Sequence, residues 1–470
     1  MSEKKKTEAE LLKEKLFYTR KNMLENIKEK SEKEINKYAE KYKQFLDEAK
    51  TEREAVKYAV RIAKENGFTE FEYGKKYAPG DKIYLNNRGK SIFLAVIGSE
   101  NIENGISIAA AHVDSPRIDL KQCPVYEDFG MAFFKTHYYG GIKKYQWTTI
   151  PLALHGTVVL KNGDTIDVTV GEKNDDPVFC ITDLLPHLGA DQMSKTMAKA
   201  ISGESLNILI GSKPYPDEKI KDSIKLNILS ILNKNYGIVE EDFLSAELCL
   251  VPSEKARDLG FDRSMICAYG HDDRVCAYPI LTAAVEASKA TPKHTLVTIL
   301  ADKEEIGSEG TTGMKTRAFD DMLREICDNM GANSKKAFAN SKCLSADVNA
   351  CFDPNYAEVY ETKNSAFLNC GVCLTKFTGS RGKSSTNDAS AEFVAEIRKI
   401  FDDASVTWQT GELGKVDQGG GGTVAMYIAK RNIDTVDVGV PVLSMHAPYE
   451  VISKADLYSA YQAFKAFFAR

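Results

Sequence analysis

Four short apolar runs along the chain have the pattern of buried β-strands. They span residues 92–97, 106–111, 295–301 and 436–443. Buried parallel strands have this continuous apolar character because both faces of their sheet are covered. Amphipathic helical stretches lie between the runs, for example residues 275–288, interrupted by Pro279, and residues 389–401. The alternation predicts an α/β fold in which helices cover both faces of a parallel sheet.

Both ends of the chain have helical periodicity. Residues from about 8 to 50 predict one long helix or two broken ones, with one face formed by Ile35, Tyr38, Tyr42 and Phe45. Thr51 and Glu54 then have the spacing of a capping box, in which each side chain accepts an N–H of the other residue. Ser453 and Asp456 repeat that spacing ahead of the C-terminal helix.

The middle of the chain has a different character. Residues 156–170 contain Asn162 and Gly163 between two β-rich arms, which is the strongest short signal for a β-hairpin. We therefore predict that residues 118–247 form a β-containing domain inserted into an α/β domain made of residues 1–117 and 248–470.

Composition excludes several classes of protein. The 470 residues carry 62 Lys and Arg against 67 Asp and Glu, a net charge of −5, so a general nucleic-acid binder is not expected. No apolar window is long enough for a membrane helix, and the N-terminal sequence MSEKKKTEAELLKEK lacks the apolar core of a secretory signal. We expect a cytoplasmic protein that does not interact with membranes.

The 10 cysteines fit a reducing compartment as scattered thiols. Only Cys370 and Cys373 have C-x-x-C spacing, and a structural zinc site would need a second such pair. Their apolar surroundings, residues 366–374, predict a buried strand instead.

Five segments carry residues suited to chemistry. Each ends a predicted strand or begins a helix, and together they contain His112, Asp114, Asp272, Asp273, Glu304, Glu305, Asp347 and His446. Taken singly, each has a structural explanation, since Asp is common at helix starts and His at strand ends. Taken together, one shared carboxylate and two pairs of His with an acid are what two neighbouring zinc ions require. Nitrogen and carboxylate ligands favour zinc over magnesium or calcium.

The same segments resemble a known family. AAHVDSPRIDLK, GHDDR, DKEEIGSEGTTG, SADVNACFDPNY and SMHAPYE resemble the aspartyl aminopeptidase and vacuolar aminopeptidase I family of zinc metallopeptidases, in order along nearly the whole chain. The resemblance implies a three-layer α/β zinc-exopeptidase catalytic domain with an inserted β-rich dimerisation domain. It also implies a homo-oligomer, at least a dimer and typically a dodecamer.

The resemblance also implies a role for each site residue. It implies two zinc ions per subunit, for which Co²⁺ or Mn²⁺ could substitute, since these cations accept similar ligands. His112 and Asp347 would hold one ion, Glu305 and His446 the other, and Asp272 would bridge them. Asp114 would orient His112, and Glu304 would be the general base.

The sequence departs from the family pattern in two loops. Where the family carries a histidine that reaches a neighbouring subunit, this chain has Asp191, and His187 is either a substitute metal or outer-sphere ligand or a structural residue. Residues 378–387 hold a candidate for pairing with an acidic substrate, Arg381 or Lys383, or form a solvent-exposed basic loop. Asp417 is the candidate to bind the free amine of a peptide. The glycines that follow it, residues 419–422, do not predict a phosphate loop because no Lys-Ser or Lys-Thr pair comes after them.

The leading hypothesis is an aminopeptidase that removes single N-terminal residues from peptides. The resemblance implies a preference for acidic residues, whereas the departures in the loops leave a broader preference open. Two alternatives remain from the sequence: a related zinc-dependent amidohydrolase or carboxypeptidase, and a catalytically silent assembly protein of the same fold.

Overall fold

The computed structural model describes residues 6–217 and 219–470 of the chain. Within these ranges the α-helices, in chain order, are α1 (Glu8–Leu16), α2 (Glu29–Glu48), α3 (Glu52–Glu65), α4 (Ala190–Met193), α5 (Met197–Ala200), α6 (Ser223–Tyr236), α7 (His271–Ala287), α8 (Ala318–Asn329), α9 (Ser334–Asn340), α10 (Ala391–Asp403), α11 (Ala425–Ala429) and α12 (Lys454–Phe468).

The β-strands of the described residues belong to four sheets. In chain order they are β1 (Thr69–Glu70), β2 (Lys82–Asn87), β3 (Ser91–Val96), β4 (Ser107–His112), β5 (Arg117–Asp128), β6 (Met131–Tyr139), β7 (Leu152–Val159), β8 (Thr165–Val170), β9 (Cys180–Ile181), β10 (Ile208–Gly211), β11 (Ala246–Pro252), β12 (Arg257–Leu259), β13 (Met265–Ala268), β14 (Leu296–Ala301), β15 (Lys342–Ser345), β16 (Asn349–Ala350), β17 (Val372–Thr375), β18 (Gly379–Ser380), β19 (Trp408–Thr410), β20 (Gly420–Gly421), β21 (Asp434–Gly439), β22 (Pro441–Leu443) and β23 (Glu450–Ser453).

A nine-stranded sheet with helices on both faces forms the centre of the molecule. Its strand order is β1-β2-β3-β14-β4-β15-β21-β17-β19, and the neighbours from β14 to β21 are parallel. Ala109 and Ala111 of β4 pack with residues of α2, α3, α7, α10 and α12, whereas Ile108 and Ala110 pack on the other face with residues of α8, α9 and α11. The predicted three-layer α/β class is confirmed.

The apolar runs locate strands correctly but not always their direction. β4 and β14 are parallel to each other as predicted, whereas β3 is antiparallel to both of its neighbours, β2 and β14. For β2 and β3 the reason is the short connection of residues 88–90, in which Arg88 and Gly89 have positive φ; it returns the chain directly and makes the pair antiparallel. The run 436–443 is also two strands, because β21 ends at Gly439 and β22 begins in another sheet.

Two helix predictions need correction. α7 continues through Pro279 because the helix is buried against α12 and the central sheet, and this packing offsets the lost backbone hydrogen bond. Ser453 does cap α12, but the carboxylate of Asp456 accepts hydrogen bonds from the N–H groups of Asn369 and Gly371 rather than completing a capping box.

Of the two alternatives predicted for the N-terminal region, two separate helices are observed. The helical region ahead of Thr51 consists of α1 and α2, separated by residues 17–28. The capping box of α3 is confirmed, since Glu54 N–H donates to Thr51 Oγ1 and Thr51 N–H donates to Glu54 Oε2.

All ten cysteines lie in the described ranges as free thiols. Cys373 is in a buried strand as predicted, whereas Cys370 lies in the turn before it.

A second sheet lies within the middle of the chain. Its seven antiparallel strands, β8-β7-β11-β5-β6-β10-β9, run from Arg117 to Pro252 and have their own core, which includes Trp147 and Phe243. The predicted hairpin at Asn162 and Gly163 joins β7 to β8. The boundaries 118–247 and the role of this region in dimerisation stay predictions.

In the described ranges, no helix combines the length and the apolar character that crossing a bilayer would take.

We expect α12 to stabilise the fold mainly through its buried aromatic side chains. Phe464 is completely buried, so Phe464→Ala should lower the free energy of unfolding by about 3–5 kcal/mol. Phe261 is fully exposed, and Phe261→Ala is the matched control that should leave it unchanged. Urea denaturation at one fixed protein concentration measures both. Equal midpoints for the two variants would contradict the assignment of α12 to the core.

Candidate active site

The predicted ligands lie at the carboxyl edge of the nine-stranded sheet. β4 ends at His112, β14 is followed by a turn that contains Glu305, and β15 is followed by Asp347. These three strands are parallel neighbours, so their carboxyl ends share one edge, where open α/β sheets bind ligands. Asp272, in the non-helical segment that begins α7, and His446, between β22 and β23, reach the same place.

Asp272 lies at the centre of this group. Its Oδ1 is 3.2 Å from Nε2 of His112, and its Oδ2 is 3.2 Å from Nε2 of His446. Nε2 of His112 is also 3.8 Å from Oδ1 of Asp347, and Nε2 of His446 is 3.4 Å from Oε2 of Glu305. The five side chains therefore form two sets of three potential ligands that share one carboxylate, with the atoms of each set within 4.8 Å of one another.

The donor set fits zinc. In the described part of the chain, Oδ1 of Asp272 and Oε1 of Glu305 are buried and accept no hydrogen bond. Unpaired buried carboxylate oxygens are costly, and a bound cation removes that cost. Imidazole nitrogens combined with carboxylate oxygens are ligands that zinc accepts. The residues present are therefore compatible with a metal centre.

Asp114 connects several parts of the site. Its Oδ1 is 3.3 Å from Nδ1 of His112, although the nearest acceptor of that nitrogen is the main-chain oxygen of Asp114 at 3.0 Å. The same carboxylate accepts hydrogen bonds from the backbone N–H groups of Glu304 and Glu305. A third donor to this carboxylate, the hydroxyl of Tyr139, comes from the seven-stranded sheet. Asp114 thus contacts one predicted ligand and the backbone of the turn that carries another.

A cavity of about 820 Å³ opens onto these side chains. Its wall includes Glu304, whose Oε2 is 3.9 Å from Nε2 of His112. The wall also contains Arg381 and Lys383, which the sequence proposes as candidates to pair with an acidic substrate. Lys383 is paired with Asp388 at 3.1 Å, whereas Arg381 forms no ion pair with any described residue.

Two predicted residues lie away from the cavity wall. Asp417 is exposed and does not line the cavity, whereas Glu412 on the same loop does. His187 is exposed in the short turn Pro186–Leu188 and lies in none of the groups of metal-competent side chains among the described residues. His271 is buried, but its ring contacts the Tyr42 hydroxyl and the backbone of the chain, so it is structural.

Comparison with known proteins shows the family of the chain. The family model described as aminopeptidase I zinc metalloprotease (M18) matches residues 45–468. The chain belongs to the M18 family of zinc aminopeptidases.

Similar M18 proteins cover nearly the whole chain. The probable M18 family aminopeptidase 1 of Clostridium acetobutylicum is 49% identical over 455 residues, which cover 95% of this chain and 97% of that relative. The crystal structure of the M18 aminopeptidase of Thermotoga maritima has a TM-score of 0.92 and 43% identity and covers 96% of this chain and 99% of its own. The S. cerevisiae mApe1 dodecamer shares the fold, with a TM-score of 0.75, 21% identity, and coverage of 92% and 97%.

The electrostatics of this M18 site favour positive charge among its carboxylates. Burial alone would lower the pKa of His446, but the carboxylates of Asp272 and Glu305 raise it to about 10. Burial and the nearby carboxylate of Asp347 raise the pKa of Glu304 to about 8. Burial and Asp272 likewise raise the pKa of Glu305 well above its ordinary value. In the metal-free protein, protons therefore compensate a charge that metal ions would compensate in the M18 enzyme.

The sequence did not reveal Glu450 as part of this M18 site. Its buried carboxylate accepts the backbone N–H groups of Asp272 at 3.0 Å and His446 at 2.7 Å. Burial and the Asp272 carboxylate raise the pKa of Glu450 to about 8. Glu450 thus fixes the backbone at two predicted ligands. Its spacing of four residues from His446 was the available signal, but the contact with Asp272 spans 178 residues and left no local pattern.

We expect zinc binding by this M18 protein to release protons and to strengthen with pH. With a pKa of about 10, His446 is protonated in the metal-free protein at neutral pH, and zinc must displace that proton. Zinc titration against a competing chelator, at several pH values between about 6 and 9, measures the trend. His446→Ala should make this trend less steep, because one fewer proton is displaced, and His187→Ala, at an exposed histidine, is the control. An affinity for zinc that is constant over this range would contradict the expectation.

Proposed function

We propose that this M18 protein is a two-zinc aminopeptidase that hydrolyses the first peptide bond of its substrates. The observation that supports it most is the shared position of Asp272, whose two oxygens each lie 3.2 Å from a different histidine. His112 and Asp347 would hold one zinc ion, and Glu305 and His446 would hold the other. Asp272 would bridge the two ions.

Glu304 is the proposed general base. Bound zinc would supply Lewis acidity, which lowers the pKa of water and polarises the peptide carbonyl. Glu304 takes the proton that the attacking water loses and then delivers it to the departing amine nitrogen, so its charge is restored at each turnover. Its position in the cavity wall, with the backbone fixed by Asp114, supports this role. Asp114 in turn holds the imidazole of His112, which keeps Nε2 directed at the site.

We also propose that the protein is a homo-oligomer. Within the described residues, exposed apolar side chains cluster in two segments: residues 11–18, and a segment of the predicted inserted domain that contains Leu184, Leu185, Leu188, Met193 and Met197. Apolar clusters of this kind mark protein–protein interfaces. The fold shared with the mApe1 dodecamer is compatible with assembly through this region, and residues 118–247 are the proposed dimerisation domain.

Glu304→Gln tests the proposed base. The substitution keeps the size of the side chain but removes its ability to accept a proton, so kcat should fall by about 10²–10⁴-fold. Zinc content should stay at two ions per chain because Glu304 is not a proposed ligand. Glu309→Gln, at an exposed glutamate of the same loop, is the matched control. Assays use unblocked aminoacyl anilides and elemental analysis.

Two results would contradict this assignment. A Glu304→Gln variant as active as the parent would exclude Glu304 as the base. Turnover of N-acylated compounds only, with none of the unblocked ones, would favour a related amidohydrolase or carboxypeptidase over an aminopeptidase.

Arg381 is the proposed determinant of an acidic preference. It lines the cavity without an ion pair among the described residues, so it is free to bind a substrate carboxylate. Arg381→Ala should lower kcat/KM for N-terminal Glu or Asp by about tenfold and leave N-terminal Leu unchanged. Arg317→Ala, at an arginine outside the cavity wall, serves as the control. A panel of dipeptides that differ only in the first residue measures these effects. A parent that prefers Leu over Glu would indicate a non-acidic preference.

A further inference from the structure

One corner of the seven-stranded sheet lies against the candidate active site. β6 ends at Tyr139, and the next two residues are Gly140 and Gly141. Each of these three residues, called here the Tyr139–Gly141 corner, contacts or closely approaches a different side chain of the site. The corner belongs to the predicted inserted domain, whereas the side chains it approaches lie at the edge of the nine-stranded sheet.

Tyr139 is held in a single orientation. Its hydroxyl donates a hydrogen bond of 2.8 Å to Oδ2 of Asp114. The guanidinium of Arg117 lies 4.1 Å from the centre of its ring. Arg117 is itself fixed by ion pairs of 2.7 Å with Glu52 and Asp119. The hydroxyl is therefore directed at Asp114 before any substrate or metal binds.

The hydrogen bond from Tyr139 acts on the proposed catalytic residues through Asp114. The carboxylate of Asp114 lies 3.3 Å from Nδ1 of His112 and accepts the backbone N–H groups of Glu304 at 3.1 Å and Glu305 at 3.2 Å. A rotation of this carboxylate would move one proposed ligand and the turn that carries the proposed base. Tyr139 is the side-chain hydroxyl that opposes such a rotation.

The two glycines allow the corner to approach closely. Gly140 has a φ of +76°, and a Cβ at this position would lie 3.4 Å from Oε2 of Glu305. The carbonyl oxygen of Gly141 is 2.7 Å from Nδ1 of His446. A carbonyl can only accept, so Nδ1 of His446 carries the hydrogen in this contact. In the neutral imidazole, Nε2 is then the nitrogen with a free electron pair, and it faces Asp272 and Glu305.

We propose that the Tyr139–Gly141 corner is a positioning element for the metal centre, with the Tyr139 hydroxyl as a positioning residue that acts through Asp114. The inserted sheet would then be part of the catalytic unit, because it orients a side chain on each side of Asp272. This inference rests on the proposed two-zinc function.

Tyr139→Phe is the test, because it removes only the hydroxyl. We expect zinc affinity, measured by competition with a chelator, to fall by about tenfold, since loss of a partner behind a metal ligand typically has that effect. We also expect kcat to fall by about tenfold with KM within about twofold of the parent, because the cavity wall is unchanged. The neighbouring Tyr138 faces the other side of β6, and Tyr138→Phe is the matched control that should match the parent in zinc affinity, kcat and KM.

The outcomes separate this inference from the proposed function. A parent that binds no zinc or hydrolyses no unblocked peptide would overturn the proposed function and this inference with it. A parent with both properties and a Tyr139→Phe variant that equals it would overturn the inference alone, as would a variant in which only KM changes. Gly140→Ala is a second variant: its added Cβ would lie 3.3 Å from Pro116 and 3.4 Å from Glu305 at a positive φ, so the corner must shift and zinc binding should also weaken. Normal zinc affinity in Gly140→Ala would contradict the proposed role of the corner.

Discussion

The crowding of carboxylates around Asp272 is the constraint on which the site depends. Asp272, Glu304, Glu305 and Asp347 lie close together in largely buried positions, with two imidazoles as the nearest side chains that can carry positive charge. Like charges at this distance are unfavourable unless protons or cations compensate them. Burial together with this crowding raises the pKa of Glu304, and the carboxylates of Asp272 and Glu305 raise the pKa of His446. Because a bound cation would offset this repulsion, a cation site is the simplest interpretation of the carboxyl edge of the nine-stranded sheet.

The fold holds these carboxylates in place through strand ends and hydrogen bonds from several parts of the chain. Parallel strands β4, β14 and β15 deliver three of the acidic or imidazole groups to one edge. Glu450 fixes the backbone of Asp272 and His446, and Asp114 fixes the turn of Glu305. These supports come from distant parts of the chain, so the geometry of the site and the stability of the fold are coupled.

Apolar runs predicted the central strands because buried strands leave a local pattern, whereas the candidate side chains of the site came from five short motifs and their family resemblance. Apolar runs located β4 and β14, and pairs such as His112 with Asp114 follow from the two-residue repeat of a strand. The direction of β3 and the division of residues 436–443 depend on a short turn and on sheet pairing, which hydrophobicity does not encode. Tyr139 was missed because its hydrogen bond to Asp114 spans 25 residues, and Glu450 because its contact with Asp272 spans 178 residues.

The most direct test is anomalous diffraction at the zinc absorption edge from crystals of the zinc-loaded protein. Two zinc peaks roughly 3.5–4 Å apart should flank the Asp272 carboxylate. His112 and Asp347 should coordinate one ion, and Glu305 and His446 the other. A single peak, or ions held elsewhere with the Asp272 oxygens uncoordinated, would contradict the proposed metal centre.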